Sequence, residues 1–420
     1  MPEACQIADS APKIARQRNW ALALLFLGGA INLFDRQIIN ILAQDIKRDL
    51  MVSDAQLGLL TGTAFGIFYS LFGIPLGRLA DRVDRIKLIS AALVTWSGFT
   101  AVCGLAANFT QLFLARMGVG VGEAGSQPAS IALIPDMFPD RHRVTAISLL
   151  LVGGPVGSFL GLLAGGYVGA TWGWRVAFFV AGVPGILLAT VMLTTLRDVR
   201  QAKPGRDRTA LPVMQTLREM VRRPRFRWLA IGLMCSSFLV YATGAWLPPF
   251  FIRSQDMSLT RIAGFAAVAV GAGGAIGTLC SGFLCDLLRP RIDHVESKAM
   301  MASFALAVPA LVVTVLAPTA TMAFVAWFSF NVMAFAWQGP TMSMLQKAVN
   351  ETDRSMAIAL ASALAVIVSL GLGLPLVGLL SDGLTPLRGP RAIGEALLIS
   401  IVCVAALGIF AHWRAMIARS

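Results

Sequence analysis

The chain has 420 residues, of which 56% are hydrophobic and 14% are charged, and its formal net charge is +13. Its mean hydropathy of +0.72 indicates more apolar side chain than the core of a soluble protein could bury. The composition therefore excludes a soluble globular protein and predicts a polytopic membrane protein.

A transmembrane helix needs about 20 mostly apolar residues, and the chain contains twelve such stretches. We predict an all-α membrane protein whose spans cover about residues 19–43, 58–79, 86–106, 109–133, 145–168, 174–195, 227–251, 261–287, 298–316, 321–346, 355–380 and 391–412. The predicted organisation is a tail (1–18), six helices (19–196), a basic linker (197–226), six helices (227–413) and a second tail (414–420).

The predicted segments on the two sides of the membrane differ in their number of basic residues. With a cytoplasmic N-terminus, 26 of the 35 Lys and Arg residues lie in inside segments, 7 lie outside, and Arg36 and Arg116 lie within spans. This asymmetry predicts that both termini are cytoplasmic. It also accounts for the positive charge without a nucleic-acid partner. The short loops and tails fit a multi-pass protein of a bacterial inner membrane.

Four charges interrupt apolar stretches: Asp35 and Arg36 in the first span, and Arg116 and Glu123 in the fourth. A charged residue at the centre of a membrane helix costs roughly 2.5 to 3.5 kcal/mol, so one that persists usually faces a partner or a water-filled path. These residues are therefore candidates for moving something across the bilayer. The alternative is a purely structural ion-pair network that fastens the two spans together.

Helical spacing groups polar residues with these charges. Arg116 and Glu123 are seven residues apart, which is about two turns, and Gln127 continues the same face. On the first span Asn32 lies on one side with Asp35 and Arg36. We expect these residues to form a charged cluster with substrate-binding capacity in the N-terminal half.

The tenth span, counterpart of the fourth, carries no ionisable residue between Phe324 and Leu345. The one-sided polarity predicts an amphiphile-shaped cavity with a charged N-terminal wall and an apolar C-terminal wall. The alternative is ordinary helix packing, because aromatic residues and Met at helical spacing are more often core. The candidate residues on this side are Trp246, Phe330, Met333, Trp337 and Met342 for the apolar wall, with Asn331 and Gln338 as polar contacts.

The two halves repeat each other's loop motifs. GRLADRVDRIK (77–87) is echoed by GFLCDLLRPR (282–291), and DRHRVTAISL (140–149) by DRSMAIAL (353–360). Parallel repeats of this kind build transporters whose site lies between the halves. We expect Gly77 to permit close helix approach and Asp81 to engage the N-terminus of a neighbouring helix. The candidate cytoplasmic gate comprises Gly77, Asp81, Arg82, Arg85, Lys87 and Arg141.

The first of these loops resembles the Gly-x-Leu-Ala-Asp-Arg-x-Gly-Arg-Arg/Lys motif of the major facilitator superfamily. The matching residues are Gly77, Leu79, Ala80, Asp81, Arg82, Arg85 and Lys87, while Asp84 stands where the family usually has Gly. The resemblance implies a monomer of two pseudo-symmetric six-helix bundles, in which this motif locks and unlocks the cytoplasmic gate. We expect Asp84 to alter the turn of the loop without abolishing the lock.

Three segments are similar to the spinster branch of that superfamily: INLFDRQIINIL, LFLARMGVGVGEAGSQPAS and WGWRVAFFVAGVPG. This resemblance implies a lysophospholipid or sphingolipid substrate. Neighbouring branches that carry organic anions share part of the pattern, so an organic anion or drug transporter stays open as an alternative. A non-transporting receptor on the same fold is a further alternative.

The mechanism that we predict is proton-coupled secondary transport. Desolvation favours the neutral form of a carboxyl group and a nearby guanidinium favours the charged form. We therefore expect Glu123, or Asp35 coupled to it, to take up and release a proton while Arg116 exchanges between carboxylate and an anionic substrate. Arg36 either contacts the substrate headgroup or serves as a structural partner of Asp35.

Enzyme chemistry is not predicted. The spans contain no HExxH, GxSxG or histidine cluster, and the chain has no Walker A motif for direct use of ATP. No cofactor or metal is expected. The expected partners are an amphiphilic or organic anion substrate, protons and membrane lipids.

Overall fold

The computed structural model describes residues 3–80, 82–196, 222–349 and 354–418. All regular secondary structure in these residues is helical. Ten stretches are long and apolar enough to cross a membrane, and one of them, Met356–Ile417, contains two successive spans. The fourth span, Phe109–Glu123 with Ser126–Met137, is not among the ten, and it carries two charged residues, Arg116 and Glu123, in its first helix. The described helices are thus consistent with twelve crossings.

The N-terminal half supplies six spans and a short helix at the outer end of the first span. Their bounds, in chain order, are Glu3–Ile41, the short helix Ala43–Leu50, Asp54–Gly58 continued by a π-helical turn Leu59–Thr63 and Ala64–Ala80, Arg85–Cys103, Phe109–Glu123 with Ser126–Met137, Asp140–Trp172, and Trp174–Thr195.

The C-terminal half repeats this plan. Its spans are Pro224–Ser254, Leu259–Ala266 with the π-helical turn Ala267–Ala272 and Gly273–Leu288, Val295–Leu316, Ala320–Ala334 with Gln338–Lys347, Arg354–Val366 with the π-helical turn Ile367–Gly373 and Leu374–Arg388, and, after a short 3-10 turn Gly389–Arg391, Ala392–Ile417.

Two helical features differ from the sequence prediction, and one predicted segment lies largely outside the described residues. The first helix begins at Glu3, so the predicted N-terminal tail continues the first span as helix. The fourth and tenth spans each break near the middle, where the sequence predicted one continuous helix. Most of the predicted basic linker, residues 197–221, lies outside the described residues.

The fifth span packs against the first through a ladder of glycines. A Cβ added at Gly157 would overlap the carbonyl oxygen of Ala30, and one at Gly161 would lie 2.6 Å from the carbonyl oxygen of Phe34. Spacing of four residues places these glycines on one face of the helix. Small residues let membrane helices approach at backbone distance. The ladder therefore fixes which face of the first span points to the interior.

The two halves meet mainly on the outer side and as far as the middle of the bundle. A Cβ at Gly58 in the second span would lie 2.6 Å from the carbonyl oxygen of Leu374 in the eleventh. Nearer the middle, Thr63 donates a hydrogen bond to the carbonyl of Gly371 at 2.6 Å, within a π-helical turn. The contacts between the halves thus close the outer side.

Matching ion pairs brace the cytoplasmic ends of the two halves. Arg85 at the start of the third span pairs with Asp136 at the end of the fourth at 2.6 Å. Glu296 at the start of the ninth span pairs with Lys347 at the end of the tenth at 2.9 Å. Each residue of the second pair lies 211 positions after its counterpart, with the charges exchanged. The repeat thus conserves the brace although its signs are reversed.

Candidate functional site

The first span turns Asp35 and Arg36 in different directions. Phe34 packs against Gly161 of the fifth span. Successive side chains of an α-helix are about 100° apart. Asp35 faces Thr100 of the third span and is fully buried, whereas Arg36, about 100° further round the helix, faces the second and fourth spans and keeps 17% of its side chain exposed. Although Asp35 and Arg36 are adjacent in sequence, their charged groups do not pair with each other.

Arg36 forms the direct ion pair of the site with Glu123. Its Nε donates to Oε2 of Glu123 at 2.7 Å, and the Glu123 side chain is buried. The guanidinium lies over the rings of Phe65 and Tyr69, at 4.5 and 4.7 Å from their centroids. The two Nη groups have no hydrogen-bond partner among the described residues. Arg36 is thus held along one edge and leaves its fork of donors open.

The partner of Asp35 is not Arg36. Asp35 accepts a hydrogen bond from the hydroxyl of Thr100 at 3.3 Å, and its second oxygen has no hydrogen-bond partner within the described residues. Trp96, one turn earlier on the third span, is also buried and near this carboxyl group. This corrects the expectation that Arg36 serves as a structural partner of Asp35.

Arg116 lies deeper than we expected. It is 2% exposed and, among the described residues, makes no ion pair within 4 Å. Its guanidinium lies 5.3 Å from the centroid of Phe65, and it interacts electrostatically with both Asp35 and Glu123. The position suits a residue that balances buried charge. The predicted exchange of Arg116 between carboxylate and an anionic substrate stays a prediction.

Glycines in the fourth span create the close packing around the site. A Cβ at Gly120 would lie 2.6 Å from the carbonyl oxygen of Phe65, and one at Gly122 would lie 2.7 Å from the backbone nitrogen of Trp96. The helix ends at Glu123 and resumes at Ser126. The break leaves carbonyl groups of the last turn without helical partners, which is tolerated in a membrane only in a buried or hydrated place.

Sequence reasoning missed the aromatic surroundings of Arg36. Tyr69 stacks on Phe65 with centroids 5.3 Å apart, and the Tyr69 and Tyr241 phenols lie within electrostatic range of the guanidinium. Tyr241 belongs to the seventh span, so the C-terminal half contributes to this environment. The sequence offered only a weak signal, because all three tyrosines of the chain fall inside predicted spans.

The remaining predicted substrate contacts are dispersed. Asn32 is half-buried and near Glu123, whereas Gln127 and Gln338 are exposed. Trp246 and Asn331 are buried, and the Asn331 side chain donates to the carbonyl of Trp327 in its own helix at 2.9 Å. Trp337 is half-buried at the break in the tenth span. In this conformation Asn32 joins the charged cluster, whereas Gln127 and the candidates of the C-terminal half do not.

The candidate cytoplasmic gate is seen in part. Arg85 is buried and also donates to the carbonyl of Ala132 at 2.7 Å, whereas Arg82 and Lys87 are exposed. A Cβ at Gly77 would lie 3.9 Å from Pro128, which is an ordinary van der Waals contact. The close helix approach that we expected at Gly77 is therefore not present. Asp81 lies outside the described residues. Arg141 lies in the helix Asp140–Trp172, and its side chain is outside the description.

Asp84 has a specific role in the altered loop. Its side chain accepts a hydrogen bond from the backbone N–H of Lys87 at 3.0 Å and caps the third span. An N-cap carboxylate satisfies one of the free N–H groups of the first turn and favours the positive end of the helix dipole. Asp84 therefore starts the helix where a glycine would only permit the turn.

The sequence profile of the Major Facilitator Superfamily matches residues 25–373. An MFS-type efflux pump of Mycolicibacterium smegmatis is 30% identical, over 99% of this chain and 96% of its own length. A sphingosine-1-phosphate transporter of Xenopus tropicalis is 24% identical, over 90% of this chain and 78% of its own. A probable L-galactonate transporter of Escherichia coli is 26% identical over 67% of this chain and 64% of its own.

Solved structures give the same result for the fold. A bacterial homologue of the human lysosomal transporter Spinster, in an inward-facing and unoccupied conformation, has a TM-score of 0.83 and 27% identity. The similarity covers 96% of this chain and 97% of that one. A D-xylose–proton symporter superposes with a TM-score of 0.71 at 16% identity, which shows the fold alone.

Proposed function

Because the chain belongs to the major facilitator superfamily and is a multi-pass membrane transporter, we propose that it moves an anionic amphiphile by proton-coupled alternating access. The observation that carries this proposal is the Arg36–Glu123 pair, in which Glu123 is buried and the Nη groups of Arg36 have no hydrogen-bond partner among the described residues. A guanidinium fork binds carboxylate or phosphate through two parallel hydrogen bonds. Arg36 is thus the residue that contacts the anionic group.

Charge balance connects this anion to a proton. When all four groups are ionised, Asp35 and Glu123 offset Arg36 and Arg116. A bound anion adds negative charge to a site of low dielectric, where uncompensated charge is costly. Protonation of Glu123 removes one negative charge and weakens its hold on Arg36. The substrate anion and the proton therefore bind together and cross in the same direction.

The division of roles follows burial. Glu123 is the proton-accepting partner of Arg36, since one of its oxygens is bonded to the guanidinium and the other has no hydrogen-bond partner within the described residues. Arg116 holds the electrostatic balance between the two carboxylates. Asp35, fixed by Thr100, is the second group of the proton site. Because a proton and a monovalent anion together carry no net charge, the pH difference drives this transport, and one pH unit supplies about 1.4 kcal/mol, enough for a roughly tenfold gradient.

The lipid-like substrate class is supported by similarity along the whole chain. The Spinster homologue and the sphingosine-1-phosphate transporter match at least nine-tenths of this chain. Sugar-acid carriers match about two-thirds of it. The alternative is an organic anion carrier, which the same Arg36 fork would suit because a sugar acid also presents a carboxylate.

Transport into proteoliposomes separates the two substrate classes. Purified protein is supplied with a lysophospholipid, a sphingoid phosphate or a short sugar acid, with and without an imposed pH gradient. We expect the gradient to accelerate movement of an amphiphile and to have little effect in protein-free vesicles. Acceleration of the sugar acid alone would establish the organic anion alternative, and absence of any gradient effect would refute proton coupling.

A further inference from the structure

A second buried carboxylate cluster joins the two halves at the outer end. Asp54, at the start of the second span, is 1% exposed. It accepts hydrogen bonds from both Nη groups of Arg253 in the seventh span, each at 2.8 Å, and from the hydroxyl of Ser381 in the eleventh at 2.6 Å. Lys47 of its own half is a further partner. Most of the contacts that Asp54 makes therefore belong to the opposite half.

Asp382 completes the connection in the reverse direction. Its two carboxylate oxygens accept from the backbone N–H groups of Asp54 at 2.9 Å and Ala55 at 2.8 Å. These N–H groups belong to the first turn of a helix, where no backbone acceptor is available within the helix. Ser53 caps the same helix by accepting from the N–H of Gln56. The C-terminal half thus supplies part of the N-terminal cap of the second span.

The backbones of the two halves are in direct contact at this place. A Cβ at Gly378 in the eleventh span would overlap the carbonyl group of Asp54. Bidentate pairing and helix capping both require positions within hydrogen-bond distance. Separation of the halves by a few ångströms would therefore break the contacts of Arg253, Ser381 and Asp382 with the second span together.

We propose that Asp54, Arg253, Ser381 and Asp382 form an outer latch that holds the transporter closed on this side and sets how often it opens outward. A buried ion pair that loses one partner is strongly destabilised, whereas both partners are hydrated when the interface opens to water. The closed latch and the fully opened latch are therefore both stable, whereas partly separated arrangements are not. The inference goes beyond the proposed function because it does not depend on the substrate or on proton coupling.

Distance measurements between spin labels test the latch. Labels are placed at Arg48→Cys and Leu387→Cys, exposed positions in opposite halves, in protein whose native cysteines have been replaced. Asp54→Asn is compared with Asp49→Asn. Asp49 is also on the outer side and pairs with Arg175 at 2.6 Å, but that pair lies within the N-terminal half. The two variants change charge equally and differ in whether the pair joins the halves.

We expect Asp54→Asn to raise the ratio of long-distance to short-distance populations by about tenfold, the effect of losing a charged hydrogen bond. Asp49→Asn should leave the distribution unchanged. Asp382→Asn is a second test variant. It leaves the Asp54 side chain intact and weakens only the hydrogen bonds that Asp382 accepts from the first turn of the second span. The proposal would be overturned if Asp54→Asn and Asp382→Asn both gave the wild-type distance distribution. If Asp54→Asn does not fold, a wild-type distribution in Asp382→Asn alone would overturn it.

Discussion

Arg36 combines two contacts that one charge rarely makes in a membrane. Its Nε is bonded to Glu123, and its guanidinium lies on the rings of Phe65 and Tyr69. The rings compensate part of the cost of desolvating the cation, because a cation over an aromatic face gains about 0.5 to 2 kcal/mol. The geometry keeps the Nη donors directed away from Glu123 and accessible to an anion.

Replacing Arg36 with Lys should weaken substrate binding although the charge is kept. An ammonium group cannot bind Glu123 and an oxyanion through separate edges of one fork. Loss of a charge-assisted hydrogen bond costs roughly 1.5 to 3 kcal/mol, so KM for the anionic substrate should rise about 10- to 100-fold. Arg48→Lys, at an exposed outer position, is the control. An unchanged KM in Arg36→Lys would remove Arg36 from the binding site.

The charged residues of the site were predictable and their pairing was not. Asp35, Arg36, Arg116 and Glu123 are costly in lipid, and this cost alone identifies them. The partner of each depends on which face of the first span lies against the fifth. That choice is made by Gly157 and the rest of the glycine ladder, through contacts between residues far apart in sequence.

The glycine ladder gives a prediction at the scale of a helix pair. Gly157→Ala should lower the thermal unfolding temperature in detergent, because its methyl group would overlap the backbone of Ala30. Overpacking of this kind costs about 1 to 3 kcal/mol. Gly77→Ala should have no such effect, since its Cβ has room beside Pro128. Equal unfolding temperatures for the two variants would show that the first and fifth spans are not held at backbone distance.

The third span provides a second prediction. Asp84→Ala removes the cap at Lys87 and should destabilise the protein by about 1 kcal/mol. Asp84→Asn keeps a hydrogen-bond acceptor at the same place, so its loss of stability should be much smaller. Thermal unfolding of the purified variants measures the difference. If Ala and Asn were equivalent, the capping role would be refuted.

Helix positions followed from hydropathy, but the interruptions did not. Hydropathy does not mark the break after Glu123, which lies in a stretch with two charged residues, or the one before Gln338, which lies in a stretch without ionisable residues. The π-helical turn Ile367–Gly373 likewise has no distinctive sequence pattern. Each lies where a neighbouring helix supplies contacts, as Thr63 does for Gly371, and such contacts are visible only in the folded protein.

At the scale of the whole molecule, the two halves share a plan with reversed charges. Arg85 is buried and bonded to Asp136 and to a backbone carbonyl, whereas the Lys347 side chain is 54% exposed beside Glu296. Exposed ion pairs contribute about 0 to 1 kcal/mol, and removing one partner of a buried pair costs more. We expect Arg85→Gln to lower the unfolding temperature clearly more than Lys347→Gln does. Equal decreases in unfolding temperature would show that the two ion pairs stabilise the protein equally.

The overall architecture was the most predictable part of the protein. Twelve apolar stretches, the cytoplasmic bias of the basic residues and the repeated loop motifs indicate a two-half transporter before any contact is known. The outer cluster at Asp54 was missed because Lys47 and Arg253 count, in sequence, only as basic residues of the outer loops. The pairing of Arg253 with Asp54 joins the two halves and is visible only in the folded protein.

Transport driven by a pH gradient, with Glu123→Gln compared with wild type, tests the central claim most directly. The amide oxygen of Gln can still accept from Arg36, but it cannot release a proton. Glu395→Gln, which removes a carboxylate paired with exposed Arg388 at 3.1 Å, is the control. We predict that Glu123→Gln loses acceleration by the gradient and keeps exchange of substrate between equal pH compartments. Full gradient-driven transport by Glu123→Gln would contradict the account.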